Sequence, residues 1–97
     1  MNLIIFHPEA ENELNSTIDF YNQKVSGLGL EFLDEIERVI NLINKNPDRW
    51  LVLKYQVRRY IVKQFPYSIF YIFEPNRIYV VAIAHQKRKP FYWKDRI

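Results

Sequence analysis

A change in hydrophobic period near Trp50 is the feature that most constrains what this chain can fold into. Before Trp50, apolar residues recur at steps of three and four positions, which is the spacing of an amphipathic helix. After Trp50 they alternate with polar residues or form short continuous runs, which is typical of β-strands. Because helices and strands are separated along the chain, we predict an α+β fold with the helices on one face of a sheet.

Two helices joined by a short turn are predicted in the first half. After a short apolar strand from Leu3 to Phe6, Pro8 suits the first turn of a helix, where its missing N–H costs nothing. The chain's only two glycines lie in the run Ser26-Gly27-Leu28-Gly29, which separates the helices, and Asn46-Pro47 ends the second. The predicted inward residues are Ala10, Leu14, Ile18, Tyr21 and Val25 in the first helix, and Phe32, Leu33, Ile36, Val39, Ile40 and Ile43 in the second.

Three strands are predicted in the second half. They are Tyr55 to Lys63, Tyr67 to Phe73 and Arg77 to Ala84, with Glu74-Pro75-Asn76 as the turn between the last two. The element order is therefore β-αα-βββ, with a helical hairpin packed on a small antiparallel sheet, the short first strand at its edge and a basic C-terminal tail. Residues 1–97 are predicted to form a single domain, since a chain of this length supports one core.

The charges are divided unequally between the two halves of the chain. Residues 1–48 contain three Lys/Arg and nine Asp/Glu, whereas residues 49–97 contain eleven and two, so the net charges are −6 and +9. Such asymmetry favours a polyanion or an acidic protein as the partner. The outward face of the second helix is predicted to be a solvated surface formed by Glu31, Asp34, Glu35, Glu37 and Arg38.

Several classes of protein are excluded or disfavoured by the composition. With no cysteine, neither a disulfide framework nor a zinc–thiolate site can form. The two histidines, His7 and His85, lie far apart without a shared carboxylate pattern, so we expect no metal site and no cofactor. The chain begins without a signal-peptide pattern and has no apolar run long enough to span a bilayer. We therefore expect a cytoplasmic protein that does not contact membranes.

Three segments together resemble the RelE/ParE superfamily of toxins from bacterial type II toxin–antitoxin pairs. They are FHPEAENEL at the start of the first helix, FPYSIFYIF in the middle strand of the last three, and IYVVAIAHQKRKPFYWKDR at the end. The final strand followed by His85, Arg88, Pro90 and Trp93 is most similar to the ParE branch. This resemblance implies a toxin that poisons DNA gyrase without chemistry of its own, and a cognate antitoxin that binds it in a hetero-oligomer.

The RelE branch implies a different activity, the cleavage of mRNA on the ribosome. Such an enzyme needs a base, cations that hold the phosphate and an acid for the leaving oxygen. RelE-type toxins place an arginine early in the strand that here reads Pro66-Tyr67-Ser68-Ile69, and the matching residue is Ser68, which cannot hold a phosphate as a guanidinium does. Their C-terminal tyrosine matches Tyr92 or Trp93 only loosely. A nuclease here would rely on Arg59, His85 and Arg88.

The target-binding residues are expected in the basic second half. The candidates are Arg58, Arg59, Lys63, His85, Lys87, Arg88, Lys89 and Trp93. Cations interleaved with aromatic residues suit nucleic acid, and they suit a protein partner equally well. Two alternatives stay open: the tail aromatics pack back on the sheet, and His85 fixes the tail through a backbone hydrogen bond. A third function, a non-toxic RNA- or protein-interaction module on the same fold, is also compatible with the sequence, since a fold does not fix an activity.

Overall fold

The computed structural model describes residues 2–97 and has the predicted element order. The elements are β1 (Leu3–Phe6), α1 (Pro8–Lys24), α2 (Leu28–Lys45), β2 (Val57–Ile61), β3 (Tyr67–Glu74), β4 (Arg77–His85) and a 3₁₀ turn (Lys94–Arg96). β2 is shorter than the predicted strand at both ends. Tyr55 and Gln56 adopt positive φ angles of 58° and 65°, so the chain turns there and the Leu53 N–H donates to Val57 O at 2.8 Å. A β-strand requires negative φ angles, so it could not include Tyr55 and Gln56.

The four strands form one sheet in the order β1-β4-β3-β2. The three long strands are antiparallel, as predicted, and β1 lies at the edge. β1 nevertheless runs parallel to β4, with Ile4 opposite Ile78, so the sheet is mixed. A parallel pair requires a long crossover, and the helical hairpin provides part of it.

The helical hairpin packs on one face of the sheet. Gly27 has a φ of 89° before α2, and Gly29 is buried against the backbone of α1. The Gly29 N–H donates to Asn22 Oδ1 at 2.7 Å, and this hydrogen bond joins the two helices. The core beneath the hairpin is formed by Ala10, Phe32, Ile36, Val39, Ile43, Tyr60, Val62, Tyr67, Ile69, Tyr71, Ile78, Val80 and Ile83.

Glu35 departs from the predicted acidic surface. It is only 5% exposed, whereas Glu31, Asp34 and Glu37 are exposed as expected. Arg38 donates two hydrogen bonds to its carboxylate, at 2.8 and 3.0 Å, and these lower the pKa of Glu35. The physical reason is positional: residue 35 lies three positions after Phe32 and four before Val39, so it shares their inward stripe.

The second face of the sheet is covered by the C-terminal segment, residues 86–97. The segment packs on the sheet, which is the alternative considered above for its aromatic residues, and does not project from β4 as a free tail. A second core cluster contains Val57, Val81, Ala82 and Trp93, with Phe70, Ile72, Tyr79, Phe91 and Tyr92 packed around it. The sheet is therefore sandwiched between the hairpin and this segment. None of the helices among residues 2–97 is long and apolar enough to cross a membrane.

Candidate functional site

A cationic cleft lies where the C-terminal segment leaves β4 and folds over β3. Its volume is about 230 Å³, and the lining residues are Leu53, Arg59, Ser68, Phe70, Ala84, His85, Gln86, Arg88, Lys89, Pro90, Phe91, Tyr92 and Trp93. The cleft brings together Arg59, His85, Arg88, Lys89 and Trp93 from the predicted set. None of these described lining residues is Asp or Glu, so the cleft has the chemistry of an anion-binding site.

A tight turn after β4 forms the back of the cleft. The Gln86 N–H donates to Pro66 O at 2.8 Å, and the Arg88 N–H donates to His85 O at 3.0 Å. The imidazole Nδ1 of His85 accepts the Lys87 N–H at 3.0 Å, and the ring meets Tyr67 edge-on with centroids 5.2 Å apart. His85 therefore fixes the turn through the backbone, which was the alternative role considered for it.

The aromatic side chains of the segment are occupied by contacts within the protein. Trp93 is 1% exposed and packs on Phe70 and Phe91, with ring centroids 5.3 and 5.6 Å away. Arg88 lies 3.8 Å from the Tyr92 ring centroid, and Lys54 lies 5.1 Å from that of Phe91. Trp93 thus forms part of the floor of the cleft. It packs back on the sheet, as in the alternative considered for the tail aromatics.

A carboxylate on α1 anchors the far end of the segment. Glu13 accepts from the Tyr92 hydroxyl at 2.7 Å and from both terminal nitrogens of Arg96 at 2.9 Å. It also accepts from the backbone N–H of Ile83 on β4, at 3.1 Å. Burial, followed by the bond to Glu13, raises the pKa of Tyr92, and the same carboxylate raises the pKa of Arg96. Sequence reasoning missed Glu13 as a contact, although its position three after Ala10 places it beside the inward stripe.

The remaining candidates do not line the cleft. Arg58 points to the helical side of β2, where it donates to Asp48 O at 3.0 Å and to Trp50 O at 2.7 Å. Through these two hydrogen bonds, Arg58 stabilises the loop before β2. Lys63 is exposed in the bend after β2, and Lys87 is exposed at the turn after β4.

The cleft suits the binding of an anion better than proton transfer. Arg59, His85 and Arg88, the three nuclease candidates, line the same cleft. The strand position that would supply a further guanidinium is Ser68, which is 4% exposed. The Tyr92 hydroxyl is engaged by Glu13 and its pKa is raised, so it is a poor proton donor. Among residues 2–97, no group of three or more His, Cys, Asp or Glu side chains is placed to hold a metal ion.

Comparisons with known proteins agree with this architecture. Residues 4–90 match the family model of the ParE toxin of the type II toxin–antitoxin system parDE. A solved structure described as the chromosomal ParDE TA system from P. aeruginosa superposes with a TM-score of 0.77 at 15% sequence identity, covering 88% of this chain and 96% of that one. No curated protein matches the chain by sequence. Because the family model spans most of its length, the chain belongs to the ParE toxin family of type II toxin–antitoxin systems.

Proposed function

We propose that this toxin acts in the cytoplasm by binding an acidic surface of DNA gyrase through the cationic cleft. The observation on which the proposal depends is the composition of the cleft: three cations, Arg59, Arg88 and Lys89, line it together with His85, and no described acidic residue does. Cations held by a rigid scaffold lose little conformational freedom on binding, which favours their use as contacts. Family membership supports the toxin role, and the gyrase target is the part that needs a test.

The aromatic contacts favour a protein target over a stacked nucleic acid. Binding of single strands without sequence preference depends on exposed rings that stack on successive bases. Here Trp93 is buried, and cations of the protein itself lie over the Tyr92 and Phe91 rings. The exposed charged side chains at the cleft are those of Arg59, Arg88 and Lys89, which suit carboxylates as well as phosphates.

We also propose that a cognate antitoxin docks beside the helical hairpin, at the free edge of the sheet. A groove between β1 and α1 is lined by Ile4, Ile5, Phe6, Leu14, Glu11 and Asn15. The N–H groups of Leu3 and His7 donate to Asn76 O and Val80 O on the β4 side. Because successive residues of a strand point their backbone groups to opposite sides, those of Ile4 and Phe6 face outward. An extended antitoxin segment would add to this edge.

Induction of the toxin in two hosts tests the gyrase proposal. In a host with sensitive gyrase we expect an SOS response and growth arrest, and in one with a resistant gyrase we expect normal growth. Arg59→Ala and Arg88→Ala should relieve the arrest. Arg77→Ala is the matched control, because Arg77 is exposed at the opposite end of β4 and should leave toxicity unchanged. Undiminished arrest in the resistant host would exclude gyrase as the target.

A second candidate function is the ribosome-dependent cleavage of mRNA. It is kept because Arg59, His85 and Arg88 line one cleft, as that chemistry would need. Sequencing of RNA 5′ ends after induction distinguishes the two functions. Cuts within translated codons that disappear in His85→Ala would favour the nuclease, whereas intact mRNA with an SOS response favours gyrase. Unaffected growth at strong induction would indicate a non-toxic interaction module.

A further inference from the structure

The Glu13 carboxylate connects three parts of the fold that are distant in sequence. It lies on α1 and accepts hydrogen bonds from Ile83 on β4 and from Tyr92 and Arg96 in the C-terminal segment. Arg96 Nη1 also donates to Val81 O at 3.1 Å, so the same guanidinium reaches β4. The side chains of Arg96 and Glu13 are 14% and 16% exposed. An ion pair sheltered to this degree is screened less by solvent than a surface pair.

The contacts of Tyr92 link this carboxylate to the cationic cleft. Glu13 fixes the hydroxyl end of Tyr92, and the face of the same ring supports the Arg88 guanidinium at 3.8 Å. A guanidinium above an aromatic face is held by the ring quadrupole. Tyr92 is therefore in contact with Glu13 at its hydroxyl end and with Arg88 at its ring face.

We propose that Glu13 is a positioning residue that holds the C-terminal segment against the sheet and thereby places Arg88 at the cleft. The proposal deepens the proposed function and rests on it for the role of Arg88. Glu13 does not line the cleft itself, although it shares an adjoining pocket with His85 and Arg88, and its hydrogen bond to Tyr92 is the contact through which we expect it to act. In this proposal, Glu13 on the helical side of the sheet helps to place a cation, Arg88, on the opposite side.

Hydrogen exchange measures the first half of the proposal without reference to any target. The backbone N–H groups of Arg88, Lys94 and Arg96 donate to His85 O, Phe91 O and Trp93 O and report on closure of the segment. In Glu13→Gln we expect these amides to exchange about 10- to 100-fold faster, the effect of losing charge-assisted hydrogen bonds. Core amides of β3 should not change. The matched control is Glu11→Gln, which removes an exposed carboxylate from the same helix. Unchanged exchange in Glu13→Gln would overturn the proposal.

A double-mutant cycle against purified DNA gyrase measures the second half. We expect Glu13→Gln to weaken binding, and Glu13→Gln combined with Arg88→Ala to bind no more weakly than Arg88→Ala alone. Residues that act through one another are non-additive in this way. Independent, additive losses would show that Glu13 does not act through Arg88 and would overturn the positioning role. If Arg88→Ala binds gyrase normally, the proposed function fails, while hydrogen exchange still decides whether Glu13 holds the segment.

Discussion

Replacement of Trp93 by alanine distinguishes a residue of the core from a residue that contacts a target. The indole is 1% exposed and packs on Phe70 and Phe91, in a cluster that includes Val57 and Val81. A side chain of this size buries about 200 Å², which corresponds to about 5 kcal/mol as an upper estimate. Measured truncations of buried Phe and Trp cost about 3–5 kcal/mol, because the cavity collapses only partly.

That loss is large relative to the stability of a small domain. A chain of 97 residues has a free energy of unfolding of about 5–15 kcal/mol. We therefore expect Trp93→Ala to remove at least about a fifth of this free energy and to lower Tm by at least about 12 °C. Trp93→Phe should recover part of the loss, since it restores ring contacts with Phe70. The assay is urea unfolding followed by far-UV circular dichroism.

The matched control is Tyr55→Ala, because Tyr55 is an aromatic residue with 57% exposure. Its replacement should change the free energy of unfolding by no more than about 0.5 kcal/mol. A loss below about 1 kcal/mol for Trp93→Ala would refute the reasoning, since a buried indole cannot be removed so cheaply. Reduced gyrase binding by a Trp93→Ala protein of unchanged stability would instead identify Trp93 as a contact residue.

Two further predictions concern the helical side of the protein. Gly29→Ala should cost about 1–3 kcal/mol in urea unfolding, because its Cβ would collide with Ile18 O and lie 2.6 Å from Asn22 Cγ. Gly27→Ala meets no atom within 4 Å and should cost about 1 kcal/mol through its positive φ alone. A loss below about 1 kcal/mol for Gly29→Ala would contradict the packing argument. Burial raises the pKa of Tyr71 to about 12, so the folded state retains this proton more tightly than the unfolded state. That contribution to stability is complete below the unfolded pKa near 10 and is lost as the pH rises through about 12. Tyr71→Phe should lose about 1 kcal/mol at neutral pH, with its bond to Pro47 O, and should show a smaller stability decrease in alkali. An unchanged alkaline slope would refute the assignment.

Local patterns in the sequence were sufficient for the element order and for most of the helical core, although Val25, predicted to face inward, is 59% exposed at the end of α1. The stripe that includes Phe32, Ile36 and Val39 faces the sheet as predicted, because the period of a helix sets which side chains share a face. The two strands after Phe65 begin where predicted and extend one residue further than predicted. β2 was overextended because the turn at Tyr55 and Gln56 depends on pairing with residues 51–53, which no local pattern reveals.

The candidate site was predicted only in part. The basic composition of the second half and the predicted end of the last strand indicated a cationic site, and four of its predicted residues line one cleft: Arg59, His85, Arg88 and Lys89. Arg58 and Lys63 lie elsewhere, because a charge pattern does not specify which cations bind backbone carbonyls and which remain free. The hydrogen bonds of Glu13 could not be predicted from the sequence, since the residues that it contacts are 70 to 83 positions away.

The sequence by itself determined the element order, most of the helical core and the sign of the net charge of each half, because these depend on period and composition. The tertiary structure decided the fate of the C-terminal segment. A run of cations and aromatics can project into solvent or pack on a sheet, and the choice depends on whether an apolar surface and a carboxylate are within reach. β4 supplies the surface and Glu13 the carboxylate, and only folding brings them together.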